Sequence, residues 1–116
     1  RVVQNGEATV AMSTHAIHDL MENHNLPPED IDAIIIATIT PDMMFPATAA
    51  LVQKNLNANN AWGFDLSAAC SGFLFALQSG SALISSGKYK KVIVIGVDTM
   101  SSILDYTDRN TCILFG

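Results

Sequence analysis

The chain has 116 residues, 49% of them hydrophobic and 15% charged, and carries a net charge of −5. This composition suits one globular unit and argues against a disordered segment. The acidic balance leaves no basic footprint for nucleic acid and no attraction to an anionic membrane. Apolar runs such as 33–39 and 92–97 are far shorter than the ~20 residues that span a bilayer. The opening residues Arg1-Val2-Val3-Gln4-Asn5-Gly6 do not read as a secretion signal. With only Cys70 and Cys112 there is no disulfide framework, so a reduced, cytoplasmic setting is expected.

Residues 9–24 have the spacing of an amphipathic helix, with Val10, Ile17, Leu20, Met21 and His24 near one face and Asp19, Glu22 and Asn23 on the other. Pro27-Pro28 stops it, because proline lacks a backbone donor and disfavours helix in the residue before it. Residues 33–39, Ala-Ile-Ile-Ile-Ala-Thr-Ile, form a β-branched run that fits a strand covered on both faces, as in a parallel sheet. Met43-Met44-Phe45 is read as an apolar loop, and Pro46 as the first residue of a helix carrying Ala50, Leu51 and Leu56. A turn at 57–60 leads to a short strand, Trp62 to Leu66. Ser67-Ala68-Ala69-Cys70-Ser71-Gly72 then opens a helix that ends at Ser85-Ser86-Gly87, with Gly87 suited to a left-handed cap. A further strand is expected over 92–97. Alternating helices and strands predict a layered α/β fold with mostly parallel strands.

Cys70 is the residue placed for chemistry. It lies where a strand gives way to a helix, among the small residues Ala68, Ala69, Ser71 and Gly72. Unpaired N–H groups and the positive dipole end of a helix start favour a thiolate, the form a nucleophilic cysteine needs. The arrangement shares its logic with the nucleophile elbow of serine hydrolases, although G-x-S-x-G is absent. The competing reading is an inert, buried cysteine acting as a small hydrophobe.

Four ordered segments extend the argument: Phe45-Pro46-Ala47-Thr48-Ala49, then residues 65–73 (Asp-Leu-Ser-Ala-Ala-Cys-Ser-Gly-Phe), Val94-Ile95-Gly96-Val97-Asp98, and residues 105–111 (Asp-Tyr-Thr-Asp-Arg-Asn-Thr) with Phe115-Gly116. Together they resemble the ketoacyl-acyl-carrier-protein synthase III branch of the thiolase-like superfamily. The resemblance implies a thiolase-like layered fold, of which 1–116 would be a half-domain from the N-terminal half, truncated at both ends. It implies transfer of an acyl group from coenzyme A to Cys70 and condensation with malonyl-acyl carrier protein, with acyl-CoA as substrate and no separate cofactor or metal. It gives the Cys70 N–H half of an oxyanion hole, sets Arg109 against the adenine end of coenzyme A, and places Phe45 at the dimer interface of a homodimer, reaching into the partner's acyl pocket to help set primer length, with Met100 lining the same pocket. The family's catalytic histidine and asparagine fall outside these residues, since His15, His18 and His24 match no family motif. The chain alone is therefore expected not to condense.

Other features carry less. His15 and His18 could share a helix face and a metal, but a third ligand is wanting and a solvated face accounts for them. Lys88, Lys90 and Lys91 could meet an acidic carrier protein, or form a solvated turn. Asp105 and Asp108 are read as loop caps, and Cys112 as a core residue. Ile113-Leu114-Phe115 reads as the start of a buried strand, and stopping there, like opening without Met, leads us to expect a partial chain. Rival functions are another condensing enzyme of polyketide or quinolone type, a non-catalytic dimerisation homologue, and a redox-sensing thiol.

Overall fold

The computed structural model describes residues 2–4 and 7–115. Its elements, in order, are helix α1 (Thr9–His24), strand β1 (Ala33–Ala37), helix α2 (Thr48–Asn55), strand β2 (Trp62–Leu66), helix α3 (Gly72–Ser85) and strand β3 (Val92–Gly96). Short 3₁₀ turns lie at Pro28–Asp30, Ala69–Ser71 and Met100–Ser102. The strands pair in the order β2-β1-β3, all parallel, with Ala33 opposite both Trp62 and Val92. The α/β layering with parallel strands is thus as the alternation of patterns predicts.

The central strand explains the layers. Every residue of β1 is buried, and its side chains alternate between two cores as the strand period requires. Ile34 and Ile36 pack with Ile17, Met21, Ala49, Val52 and Leu56 from α1, α2 and the end of α2. Ile35 and Ala37 face the other way, onto Ala76 of α3 and its neighbours. Each fully covered isoleucine contributes about 1.5–3 kcal/mol from apolar burial. Helices α1 and α2 therefore cover one face of the sheet and α3 covers the other.

Helix α1 starts and stops as expected, with Asn25 in the left-handed conformation at its end (φ 49°). Its packed face differs from the expected one, being built from Thr9, Ser13, Thr14, Ile17 and Met21, while Leu20 and His24 are exposed. Ser13 and Thr14 can be buried there because their hydroxyls donate to the carbonyls of Thr9 (2.7 Å) and Val10 (2.8 Å). Strand β1 ends at Ala37, two residues short of the expected Ile39, and Ile39 is exposed. Helix α2 begins at Thr48, so Pro46 precedes it and does not open it; the Phe45–Pro46 bond is cis. Asn57 (φ 55°) and Gly87 (φ 76°) take the left-handed positions their turns need.

Two expectations for the last residues are corrected. Ile113, Leu114 and Phe115 form no strand; they are exposed, Ile113 to 76%. The backbone there folds into turns, with Cys112 N–H donating to the Asp108 carbonyl (3.0 Å) and Leu114 N–H to that of Thr111 (3.1 Å). Cys112, expected in the core, is only half-buried within these turns. Helix α3 also leaves Leu74, Phe75, Leu77 and Ile84 exposed, although its sequence is apolar all round. Among the described residues, no helix is long and apolar enough to cross a membrane.

Candidate active site

Ligands of open parallel sheets bind outside the carboxyl ends of the strands, and a cleft of about 450 Å³ lies there. Its walls are Ala37 at the end of β1, Ala69, Cys70 and Phe73 from the β2–α3 junction, and the 94–98 segment from Val94 to Asp98. Cys70 is exposed and unbridged. It belongs to the 3₁₀ turn Ala69–Ser71, one short turn ahead of α3 and not within the first turn of that helix.

The turn is an elbow with a distinctive backbone. Ala69 has φ 46°, a left-handed conformation that costs a non-glycine residue roughly 1–2 kcal/mol. The Ser71 N–H closes the turn on the Ala68 carbonyl at 3.1 Å. Such a reversal lifts Cys70 off the end of β2 into the cleft, and local strain of this kind gathers at functional sites. The floor is closely packed: a Cβ at Gly96 would stand 3.1 Å from Phe73 Cβ, so glycine is what lets α3 settle against β3.

Aspartates fasten the elements around this elbow. Asp98, in the cleft wall, accepts the Ile39 N–H (2.8 Å) and the Thr38 hydroxyl (3.1 Å) at Oδ1, which ties the ends of β1 and β3 beyond their last paired residues. Behind it, the Thr99 N–H donates to the Thr40 hydroxyl (2.8 Å) and the Thr9 hydroxyl donates to the Thr40 carbonyl (2.5 Å), so α1 joins the same buried network. Asp42 receives the Thr9 and Val10 N–H groups at 2.7 and 3.1 Å, capping α1. Asp65 of β2 receives those of Thr48 (2.7 Å) and Ala49 (2.8 Å), capping α2. Sequence reasoning missed all three roles. A signal existed, because both helices follow an alanine, Ala8 or Ala47, with no capping side chain, and their orphan N–H groups had to find acceptors elsewhere.

The other candidate residues lie outside this cleft. Phe45 is 87% exposed on the loop before α2, Met100 is half-buried at the start of its 3₁₀ turn, and Arg109 is exposed in the last turns. None of the three lines the Cys70 cleft. Asp105 and Asp108 order their loop as expected: Asp105 accepts the hydroxyl (2.6 Å) and N–H (2.9 Å) of Thr107, and Asp108 accepts the Asn110 N–H (2.9 Å). The Thr107 hydroxyl, then its N–H, hold the Asp105 carboxyl below its ordinary value. The lysine run is a solvated turn, in which Lys91 pairs with Asp30 at 2.5 Å and Lys88 lies 5.5 Å from the centre of the Tyr89 ring. His15 and His18 are exposed, and no group of three potential metal ligands occurs among the described residues.

Known proteins share this fold. The sequence model of the family 3-oxoacyl-[acyl-carrier-protein (ACP)] synthase III matches residues 64–116, from mid-β2 through the elbow to the last turns. The beta-ketoacyl-[acyl-carrier-protein] synthase III of Chlorobaculum tepidum is 58% identical over 110 residues, 95% of this chain and 33% of the relative. This chain is similar along nearly its whole length to the beta-ketoacyl-[acyl-carrier-protein] synthase III family. In three dimensions, the 3-oxoacyl-[acyl-carrier-protein] synthase III of Aquifex aeolicus superposes with a TM-score of 0.95 at 46% identity, covering 100% of this chain and 37% of that one. The priming β-ketosynthase of the R1128 polyketide pathway gives the same TM-score at 33% identity, covering 100% of this chain and 35% of that one. The fold is therefore thiolase-like. The chain spans about a third of the length of these synthase III relatives.

Proposed function

We propose that this chain carries the nucleophile of a condensing acyltransferase that starts fatty-acid synthesis, with Cys70 as its acyl acceptor. The observation that carries the reading is the exposed Cys70 thiol on a strained elbow, inside a cleft at the carboxyl ends of the strands. In the first half-reaction the Cys70 thiolate attacks the thioester carbonyl of an acyl-CoA, with acetyl-CoA the expected primer. The carbon–sulfur bond to coenzyme A breaks, and its thiolate leaves and takes up a proton. In the second, malonyl-acyl carrier protein loses carbon dioxide and the resulting carbanion attacks the acyl-cysteine. The Cys70 thiolate departs and a 3-ketoacyl carrier protein is released. The Cys70 N–H supplies half of the oxyanion hole. Arg109 stacks on the adenine end of coenzyme A, and Phe45 and Met100 shape the acyl pocket at a homodimer interface. The exposed apolar side chains of α3 and of the Phe45 loop accord with surfaces that are covered in a larger assembly. The histidine and asparagine that activate the malonyl group come from outside these residues, so 1–116 alone does not condense. The reaction takes acyl-CoA as substrate, needs no separate cofactor, and proceeds in the cytoplasm.

Mass spectrometry of the full-length protein after exposure to acetyl-CoA tests this. An acetyl group on the Cys70 peptide, lost in Cys70→Ser together with about a thousandfold or more of the turnover, is the expected result; an unmodified Cys70 refutes the acyl-enzyme. The likeness to the R1128 priming β-ketosynthase favours one second reading, a polyketide-priming enzyme using the same cysteine. Preference for a polyketide carrier protein over the fatty-acid one would select it.

A further inference from the structure

Phe45 and Cys70 lie on different elements, yet one side chain ties the backbones that carry them. Asp65 stands in β2, five positions before Cys70, and its two carboxylate oxygens take the N–H groups of Thr48 and Ala49. Those are the first two residues of α2, three and four positions after Phe45. The helix has no local cap to hold it there, because Ala47 offers no side-chain acceptor. The contact is half-buried, bidentate and charge-assisted, the stronger class of hydrogen bond. It is also specific in direction, since two adjacent N–H groups on one carboxylate fix both the height and the rotation of the helix start relative to β2. The two segments on either side, 45–49 and 65–73, are thereby joined at one point.

We propose that Asp65 is a positioning residue for primer selection, fixing the Phe45 loop against β2 and so setting how Phe45 reaches across the homodimer interface into the acyl pocket of the partner subunit. This rests on the reading of Cys70 as acyl acceptor and of Phe45 as part of the acyl pocket. Asp65 touches no substrate; it acts through α2. Released from β2, the start of α2 and the loop before it can move while the elbow stays closed by its own Ser71–Ala68 bond. Acylation of Cys70 by the shortest primer then persists, and discrimination between primers of different length declines.

The test uses the full-length enzyme and compares the rates at which acetyl-CoA and octanoyl-CoA acylate Cys70, read by mass spectrometry. In Asp65→Ala the ratio of the two rates is expected to move toward unity by about tenfold, the low end of what one methylene in a hydrophobic pocket controls. Asp65→Asn, which keeps one acceptor oxygen, is expected to fall between, and it supplies the reading if the alanine variant does not fold. The double variant Asp65→Ala/Ala47→Ser separates positioning from helix capping: a serine N-cap restores the acceptor for α2 without restoring the link to β2. Its urea midpoint is expected to recover while its primer ratio does not. An unchanged ratio in Asp65→Ala overturns the proposal and leaves the acyl-enzyme intact, as does full recovery of the ratio in the double variant, which would make Asp65 a cap and nothing more. Absence of any adduct on wild-type Cys70 overturns the acyl-enzyme reading and this inference with it.

Discussion

Asp98 Oδ1 accepts the backbone N–H of Ile39 at 2.8 Å, across 59 positions of sequence. The β1–β3 ladder pairs Ala37 with Gly96, and Val97 N–H still reaches the Ala37 carbonyl at 3.0 Å. Beyond that point the backbone ladder stops, and side-chain bonds from Asp98 and Thr40 link the two segments. The carboxylate thus holds open one wall of the cleft and keeps it attached to the sheet.

Replacing Asp98 by alanine is expected to lower the unfolding free energy of the full-length protein by about 1–2 kcal/mol, the range for hydrogen bonds to a charged group at a site that water can reach. Urea denaturation reads this directly. Asp98→Asn, which retains an acceptor oxygen, should recover at least half of the loss. A midpoint unmoved by either substitution would show the tie to be energetically idle.

The elbow makes a prediction of opposite sign for two small changes. At Ala69, with φ 46°, glycine relieves the steric penalty of a left-handed residue, so Ala69→Gly is expected to be neutral or stabilising by up to about 1 kcal/mol. Ala69→Val places a branched side chain in the same conformation and is expected to cost about 1–3 kcal/mol and to slow acylation of Cys70. Thermal melts and adduct formation, measured side by side, distinguish this from a bland surface position, at which both variants would behave alike.

Asp32 gives a pH dependence. The N–H of Lys91, then that of Lys90, hold its carboxyl below the ordinary carboxylate value, at 2.9 and 2.7 Å. A lowered folded-state value means a contribution fully present above the unfolded value, about 3.9, and lost as the pH falls through the folded one. The gap in urea midpoint between wild type and Asp32→Asn is therefore expected to be constant from pH 7 to 5 and to close below about pH 4. A gap that stays open in acid would contradict the assignment.

Much of this architecture is legible in the residues. Periodicity delivers α1, and the isoleucine run delivers a strand covered on both faces, because 3.6- and 2-residue repeats are local properties. The elbow at Cys70 is legible too, from the small residues that surround it. Lost to sequence reasoning are the joints made by side chains over long separations. Asp65 reads as one polar residue in a strand, and nothing within a window of ten residues says that Thr48 needs it. The same blindness moved the start of α2 to Pro46, where local preference points, when the first capped N–H groups belong to Thr48 and Ala49. Ile113 to Phe115 misled in the other direction: apolar composition suggested a buried strand, and the chain there turns back on itself, with the Leu114 N–H on the Thr111 carbonyl.

The place of β1 at the centre of the sheet bears on how the chain is made. Its first partner, Trp62, lies 29 positions after Ala33, and its second, Val92, lies 59 positions after. At roughly 5–20 residues per second, a ribosome needs about 3–12 s to deliver the second edge after the first strand has emerged. For that interval Ile34-Ile35-Ile36 lacks its second neighbour, and for about the first half of it neither edge of the strand is paired. The segment that is most protected in the finished molecule is one that must wait for two later strands before both its edges are paired.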